Sequence, residues 1–403
     1  MKRSVKSLVS GLLVAGFMAA NVYGAVNPAE AGGYAGGMLD PGSDLVTLAG
    51  VPGDGKKDGS GQEARFAGPM GIDTDGRTVI IADTDNNQIR SCHGNRVVSR
   101  AGAETGQDEY GHALGGYRDG YVDQSVFDKP SDCAFLPDGR IAIADRENHS
   151  IRILEKNYVY TLGGSGKAGY RERGPVSNGT LGNDGENTSW FNCPSGVAAG
   201  PNQILYVADT GNHCIRGIRR DGSSFLVAGI PGQGGYADGE ALSARFMDPC
   251  SLAVGEDGAI YVADTGNQRI RRIWQGQVTT LAGTGTAVDP ETGYVEPVKD
   301  PQEGIGFCYP QGICLAGNVV ITADTGNHRI CATTFDGETA VIAGTGTAGF
   351  GDGNLTEAQL HSPGDVVWEN GFLYIMDSGN SALRVMRFDP AQWLGEHTNK
   401  ILQ

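Results

Sequence analysis

Two aspartates stand where a site would be easiest to build. Prolines at 69, 130, 194, 249, 310 and 363 each open a short run, and two residues past each the series reads Gly71, Asp132, Gly196, Ser251, Gly312 and Asp365. Small residues fill four of these positions and carboxylates fill the other two. If the runs converge on one axis, Asp132 and Asp365 could hold a hard cation such as Ca²⁺, helped by backbone carbonyls and water. Each carboxylate could equally accept backbone donors within its own segment. The histidines carry less. His149, His213 and His328 all follow the Asn of a recurring Asp-x-x-Asn turn, a position filled elsewhere by Asn87, Gln268 and Ser381, so they read as structural. Eight cysteines (92, 133, 193, 214, 250, 308, 314 and 331) contain neither C-x-x-C nor C-x-x-C-H, which leaves buried thiols or structural bridges. No G-x-S-x-G, H-E-x-x-H or phosphate-binding loop is present, and no catalytic residue is assigned.

Whatever positions these groups must be a repeat. The Asp-x-x-Asn turn recurs six times, starting at Asp83, Asp145, Asp209, Asp264, Asp324 and Asp377, at intervals of 62, 64, 55, 60 and 53 residues. A short β-type run precedes each turn (VIIA, IAIA, LYVA, IYVA, VITA, LYIM), and Ile or Leu, usually followed by Arg, comes after it. A further run ends in Gly50, Gly102, Gly164, Gly229, Gly283 or Gly344. The turn Asp suits an Asx-turn, and Gly at the third turn position suits a positive φ. Asp85 and Glu147 replace that Gly in the first two units.

Each unit is therefore four short strands: a after Pro, b before Asp, c after Asn, and d before Gly. Such a sheet must stack on its neighbours, and six of them in a ring make a β-propeller. The first run, at residues 45–48, is a d strand with no partners before it, while the last unit lacks a d strand. The expected fold is all-β: a six-bladed β-propeller of four-stranded antiparallel blades, closed by its N-terminal strand. The ring should cover residues 44–389, after a linker at 25–43 and before a tail at 390–403.

Antiparallel order puts the b–c turns and the d–a connections on one face. Those connections are 19, 28, 30, 20, 27 and 19 residues long, so blades two, three and five are entered by longer ones. They carry Tyr110, Tyr117, Arg118, Tyr121, Tyr170, Arg171, Arg173, Trp190 and Tyr294. Aromatic and Arg side chains at a surface suit protein or carbohydrate recognition. The candidate ligand-binding set is Tyr117, Arg118, Tyr121, Tyr170, Arg171, Arg173 and Trp190, and Asp132 with Asp365 is the candidate metal pair.

The pattern Y-V-A-D-T-G-N-H/Q-x-I-R, after F-x-x-P-x-G and before T-L-A-G-T-G, resembles the NHL-repeat propellers. That resemblance implies a ring scaffold, used mostly for binding proteins, RNA or glycans, with some lyase and hydrolase relatives. The peptide-amidating lyases also look similar, and they place zinc-binding histidines directly after the strand-a proline. Here those positions are Met70, Ser131, Ser195, Cys250, Gln311 and Gly364, and none is His. A binding scaffold for a protein or glycan is thus expected. The alternative is a metal-dependent lyase or hydrolase with its site at the channel mouth.

Composition narrows the partner. Charged residues number 31 Lys+Arg against 47 Asp+Glu, a net charge of −16, and this excludes a nucleic-acid binder that works through a basic face. Lys2, Arg3 and Lys6 precede an apolar stretch at residues 8–20, and small side chains lead to Gly24. This reads as a signal peptide over residues 1–24, with the mature protein exported to the periplasm or beyond and carrying no transmembrane anchor.

Overall fold

The structure is a computed structural model that describes residues 44–109, 111, 113–174, 188–285 and 305–398. The expected signal peptide and linker, together with Tyr110 and Tyr294, lie outside the described residues. Strand b shows why the units must stack. Ile141–Asp145 is buried along its whole length, with its apolar run covered on both faces by neighbouring sheets. Six apolar clusters follow, one between each pair of adjacent sheets.

Strands a are Ile72–Thr74, Pro130–Phe135, Gly196–Ala199, Pro249–Val254, Pro310–Ala316 and Asp365–Glu369. Each packs against strand a of both neighbours, so the six sheets form a closed ring around an axis. The latch is where the repeat count places it. Asp44–Gly50 pairs antiparallel with Ala382–Arg387, setting Val46 opposite Val385 and Gly50 opposite Ala382. Leu45 enters the core shared with blade five, and Ala49 enters the core shared with blade one.

Four of the six sheets have five strands rather than four. The extra strands are Gly59–Ser60, Gly120–Tyr121, Gly239–Glu240 and Gly353–Asn354. They arise because the d–a connection does not stay on one face. It runs along the outer edge of the blade it is about to enter, pairs with strand d, and returns as a narrow hairpin through bridges such as Lys57 with Arg65 and Arg118 with Val126. Most of these outer edges are thereby covered, which limits edge-to-edge association.

The turns differ from expectation in two ways. Asp83 does not take the backbone N–H groups of its own turn: Oδ1 accepts the Ala67 N–H at 2.9 Å, and Oδ2 accepts the Asn86 side chain through Nδ2 at 2.9 Å. The positive φ falls one residue after the Asn, at Asn87, His149, His213, Gln268, His328 and Ser381, with φ between 49 and 56°. Gly at the third position is needed for contact instead. The Gly211 N–H donates to the Asn192 carbonyl at 2.8 Å, and a Cβ there would collide with Asn192. Left-handed backbone is required at the glycines that end strands d, where Gly50 and Gly283 have φ of 87 and 97°.

The left-handed residue joins blades. Asn87 Oδ1 accepts the Lys129 N–H at 2.7 Å, and His149 Nδ1 accepts the Cys193 N–H at 3.0 Å. His213, Gln268 and His328 hold Asp248, Tyr309 and Ser362 in the same way. These histidines are inter-blade latches. After the ring, Pro390–Thr398 forms a helix whose first N–H groups, those of Ala391 and Gln392, are capped by Asp389 Oδ1. No described helix is long and apolar enough to cross a membrane.

Candidate functional site

Around the axis, strands a approach so closely that the glycines two residues past the prolines become obligatory. A Cβ on Gly71 would meet the Asp132 carboxylate, and one on Gly312 would meet Asp365. Both carboxylates are spent on backbone. Asp132 accepts the Val197 N–H of the next blade and its own Cys133 N–H, each at 2.8 Å. Asp365 accepts the Ile72 N–H at 2.8 Å, across the junction with blade one. A third carboxylate that the repeat does not signal completes this girdle: Asp73 accepts Phe135 N–H at 2.7 Å and Thr74 N–H at 2.8 Å. Among the described residues, no group of three or more His, Cys, Asp or Glu side chains is gathered in a metal-binding arrangement. The axial carboxylates tie blades together.

Burial pushes Asp73 and Asp365 up to about 7, and lifts Asp132 well above the usual carboxylate range. Repulsion among the three adds to this effect of burial. A carboxyl whose pKa is raised on folding takes up a proton, so its contribution to stability is full below 3.8 and falls as pH rises towards about 7. The half-buried latches His149 and His328 act oppositely. Burial lowers them, so their contribution is present above 6.5 and is lost as pH falls below that value. Asp365→Asn should therefore flatten the decline in unfolding free energy between about pH 4 and 7 relative to the parent. Urea titrations of both proteins across that range check this, and parallel curves would contradict it.

Radially outward lies a set of buried arginines. Arg90, Arg152, Arg216, Arg271 and Arg384 are fully buried, and each pairs with the Asp of its own turn. Aromatic rings flank them. Arg152 lies between Tyr117 at 4.8 Å and Phe127 at 5.3 Å, and Arg216 lies between Tyr170 at 4.6 Å and Phe191 at 4.4 Å. In blade five Cys331 replaces the arginine, and Arg329 Nε reaches Asp324 at 2.7 Å instead.

The ligand-binding candidates fall on these outer hairpins. Tyr117 covers Arg152, and its hydroxyl meets Thr161 Oγ1 at 2.8 Å. Arg118 Nε donates to the Gln124 carbonyl at 2.6 Å. Tyr121 is 54% exposed and stands opposite Tyr158, with ring centroids 5.5 Å apart and edge-on. On blade three, Tyr170 covers Arg216 and donates its O–H to Glu172 at 2.6 Å. Arg171 lies 6.0 Å from the Trp190 ring, and the two residues bridge through their backbones. Arg173 is buried. The structure thus brings Tyr117, Arg118 and Tyr121 together on one outer edge, and Tyr170, Arg171, Arg173 and Trp190 on another. Tyr158, the neighbour of Tyr121, carries no repeat signal; its place depends on strand register.

Comparison with known proteins agrees with this geometry. The NHL repeat model matches residues 127–154, 191–218, 246–273 and 307–332. The chain is 28% identical over 341 residues to Protein SUPPRESSOR OF QUENCHING 1, chloroplastic, of Arabidopsis thaliana, covering 79% of this chain and 30% of that protein. It is 28% identical over 357 residues to human NHL repeat-containing protein 2, covering 80% of this chain and 46% of that protein. The chain thus spans less than half the length of either relative. An auxiliary nutrient binding protein from Bacteroides thetaiotaomicron shares the fold, with a TM-score of 0.59 at 15% identity, over 85% of this chain and 75% of that one. The matched segments run from Phe-x-x-Pro through the Ile that follows each turn and build blades two to five, so the chain carries NHL repeats within a six-bladed β-propeller.

Proposed function

We propose that the protein is an exported binding module that takes a protein or glycan partner on the outer edge of blade two, outside the cytoplasm. Tyr121 and Tyr158 carry the reading. They are 54% and 43% exposed, lie on paired strands, and cover no buried charge. Rigid aromatic rings held on a sheet edge give contact area at small entropic cost. Leu114 and Tyr117, earlier in the same connection, are also exposed. The blade-three group of Tyr170, Arg171 and Trp190 is a second candidate surface, where the half-buried Tyr170 also covers Arg216. The metal-dependent lyase or hydrolase reading finds less support, because Asp132, Asp365 and Asp73 already accept backbone donors and, among the described residues, no metal-holding group of His, Cys, Asp or Glu is gathered.

The test separates binding from stability. Tyr121→Ala with Tyr158→Ala should weaken capture of glycans on an array, or of proteins from the exported fraction, by about tenfold or more. The melting temperature should stay near the parent's, since exposed substitutions change stability by only about 0.5 kcal/mol. Tyr117→Ala should instead lower stability, because it uncovers Arg152. Unchanged capture by the double variant would remove this surface from the function.

A further inference from the structure

Blade two breaks the repeat at the second turn position. In four other blades this residue is Thr84, Thr210, Thr265 or Thr325, and its hydroxyl donates to the carbonyl of the next blade's proline at 2.6–2.8 Å. In blade two it is Arg146. Its side chain is 40% exposed, and its contact with the adjacent Glu147 is long, at 3.7 Å. Its Nε is closed off from solvent and has no hydrogen-bond partner among the described residues. The Pro194 carbonyl, deprived of a threonine, is left with Ser131 Oγ at 3.5 Å. A cation with unspent hydrogen-bonding capacity thus stands at the entry to blade three.

Two thiols feel that charge. Cys193 and Cys250 are partly exposed, whereas the other six cysteines are buried. Burial pushes both of these thiols up, the Glu147 carboxylate adds to the rise at Cys193, and Arg146 opposes it at each. Cys193 has a second neighbour. The Cys193 N–H donates to His149 Nδ1 at 3.0 Å, so this nitrogen carries a lone pair rather than a proton, and it lies 3.7 Å from Cys193 Sγ. Burial lowers His149 against the opposing Glu147 and Asp128 carboxylates, which keeps the ring neutral near pH 7. The equivalent latches hold Lys129, Asp248, Tyr309 and Ser362, so the imidazole faces a thiol in this one alone among the described latches.

We propose that Cys193 is a thiol–disulfide exchange site, with His149 as its base and Arg146 as the anchor for small disulfides that carry carboxylate groups. Cys193 Sγ attacks one sulfur of R–S–S–R as its proton moves to His149 Nδ1. The S–S bond breaks, the mixed disulfide Cys193–S–S–R forms, and the departing thiolate takes the proton from His149 and leaves as R–SH. Cys193 is oxidised, one sulfur of the incoming disulfide is reduced, and no further oxidant is required. While His149 holds the proton it cannot accept the Cys193 N–H, so exchange loosens the latch between blades two and three.

The experiment follows adduct formation on the native full-length chain by intact mass and peptide mapping. The probes are oxidised glutathione, which carries carboxylates, and cystamine, which is cationic. One adduct per chain is expected, on Cys193, forming faster with oxidised glutathione. Arg146→Thr installs the residue of the other blades, and should slow oxidised glutathione about tenfold and cystamine less, as loss of a neighbouring cation implies. His149→Asn installs the residue of blade one, keeps a latch acceptor, and should slow both probes. Cys193→Ser should abolish the adduct. The proposal fails if Cys250 or a buried cysteine reacts as fast as Cys193. It also fails if Arg146→Thr and His149→Asn, with parental melting temperatures, leave the rates unchanged.

Discussion

Arg152→Cys lowers the unfolding free energy by about 3–5 kcal/mol, the cost of removing one partner from a buried ion pair. Both members of the pair are fully buried, with Arg152 Nη1 2.5 Å from Asp145 Oδ2. The guanidinium also binds Asp119 and donates to the carbonyls of Val126 and Arg118, so it fastens the outer hairpin to the blade. Burial already raises Asp145 to about 6, and Arg152 is the largest influence opposing that rise. Without it the carboxyl is left with the Asp128 N–H and Asn148 Nδ2. The matching substitution in blade four, Arg271→Cys, has a smaller effect. Arg269 there stands opposite Asp264, the register from which Arg329 serves Asp324 in blade five beside Cys331. Blade two has Ser150 at that place, opposite Asp145. Urea unfolding of the two variants decides the matter, since equal losses would show that Arg269 cannot take over.

The contrast between those two arginines marks what the chain's sequence makes visible. The six turns, the glycine ends and the unpaired first strand can be counted, because each repeats with the blade. The Ile-Arg pair repeats too, yet its burial is hidden, since arginine is ordinarily a surface residue and here becomes internal only when a hairpin some thirty positions earlier folds over it. For the same reason Tyr117 and Tyr121 look alike as residues and differ in role, one covering Arg152 and the other facing solvent beside Tyr158. Two-residue strands such as Gly120–Tyr121 are too short to show an alternation, so the connections that contain them read as loops. Asp132 and Asp365 stand out as departures from glycine, whereas their companion Asp73 has no such contrast. What a departure from the repeat does, in each case, is settled by the neighbouring blade.

Removing the strand Asp44–Gly50 has a larger effect still, because it opens the ring. Leu45 and Ala49 are fully buried and lie in separate inter-blade cores, so truncation at residue 51 damages the packing of blade six against both neighbours. The strand's length leaves Ala382–Arg387 as an exposed edge, ready to pair with another chain. The two-residue strand Gly353–Asn354 loses its partner at the same time. Arg384 also loses support. It binds Asp352 Oδ1 at 2.7 Å, and that carboxylate is in turn held by the Thr47 N–H and hydroxyl. The truncated chain is therefore expected to lose its single cooperative melt and to elute as dimers or larger species in size-exclusion chromatography. A synthetic peptide of residues 44–50, added in excess, should restore part of the monomer and raise the melting temperature with its concentration, as a ligand of the folded state does. A truncated protein that stays monomeric with the parental melting temperature would mean that the ring closes through the packing of strands a alone, and that the two chain ends contribute nothing to holding it shut.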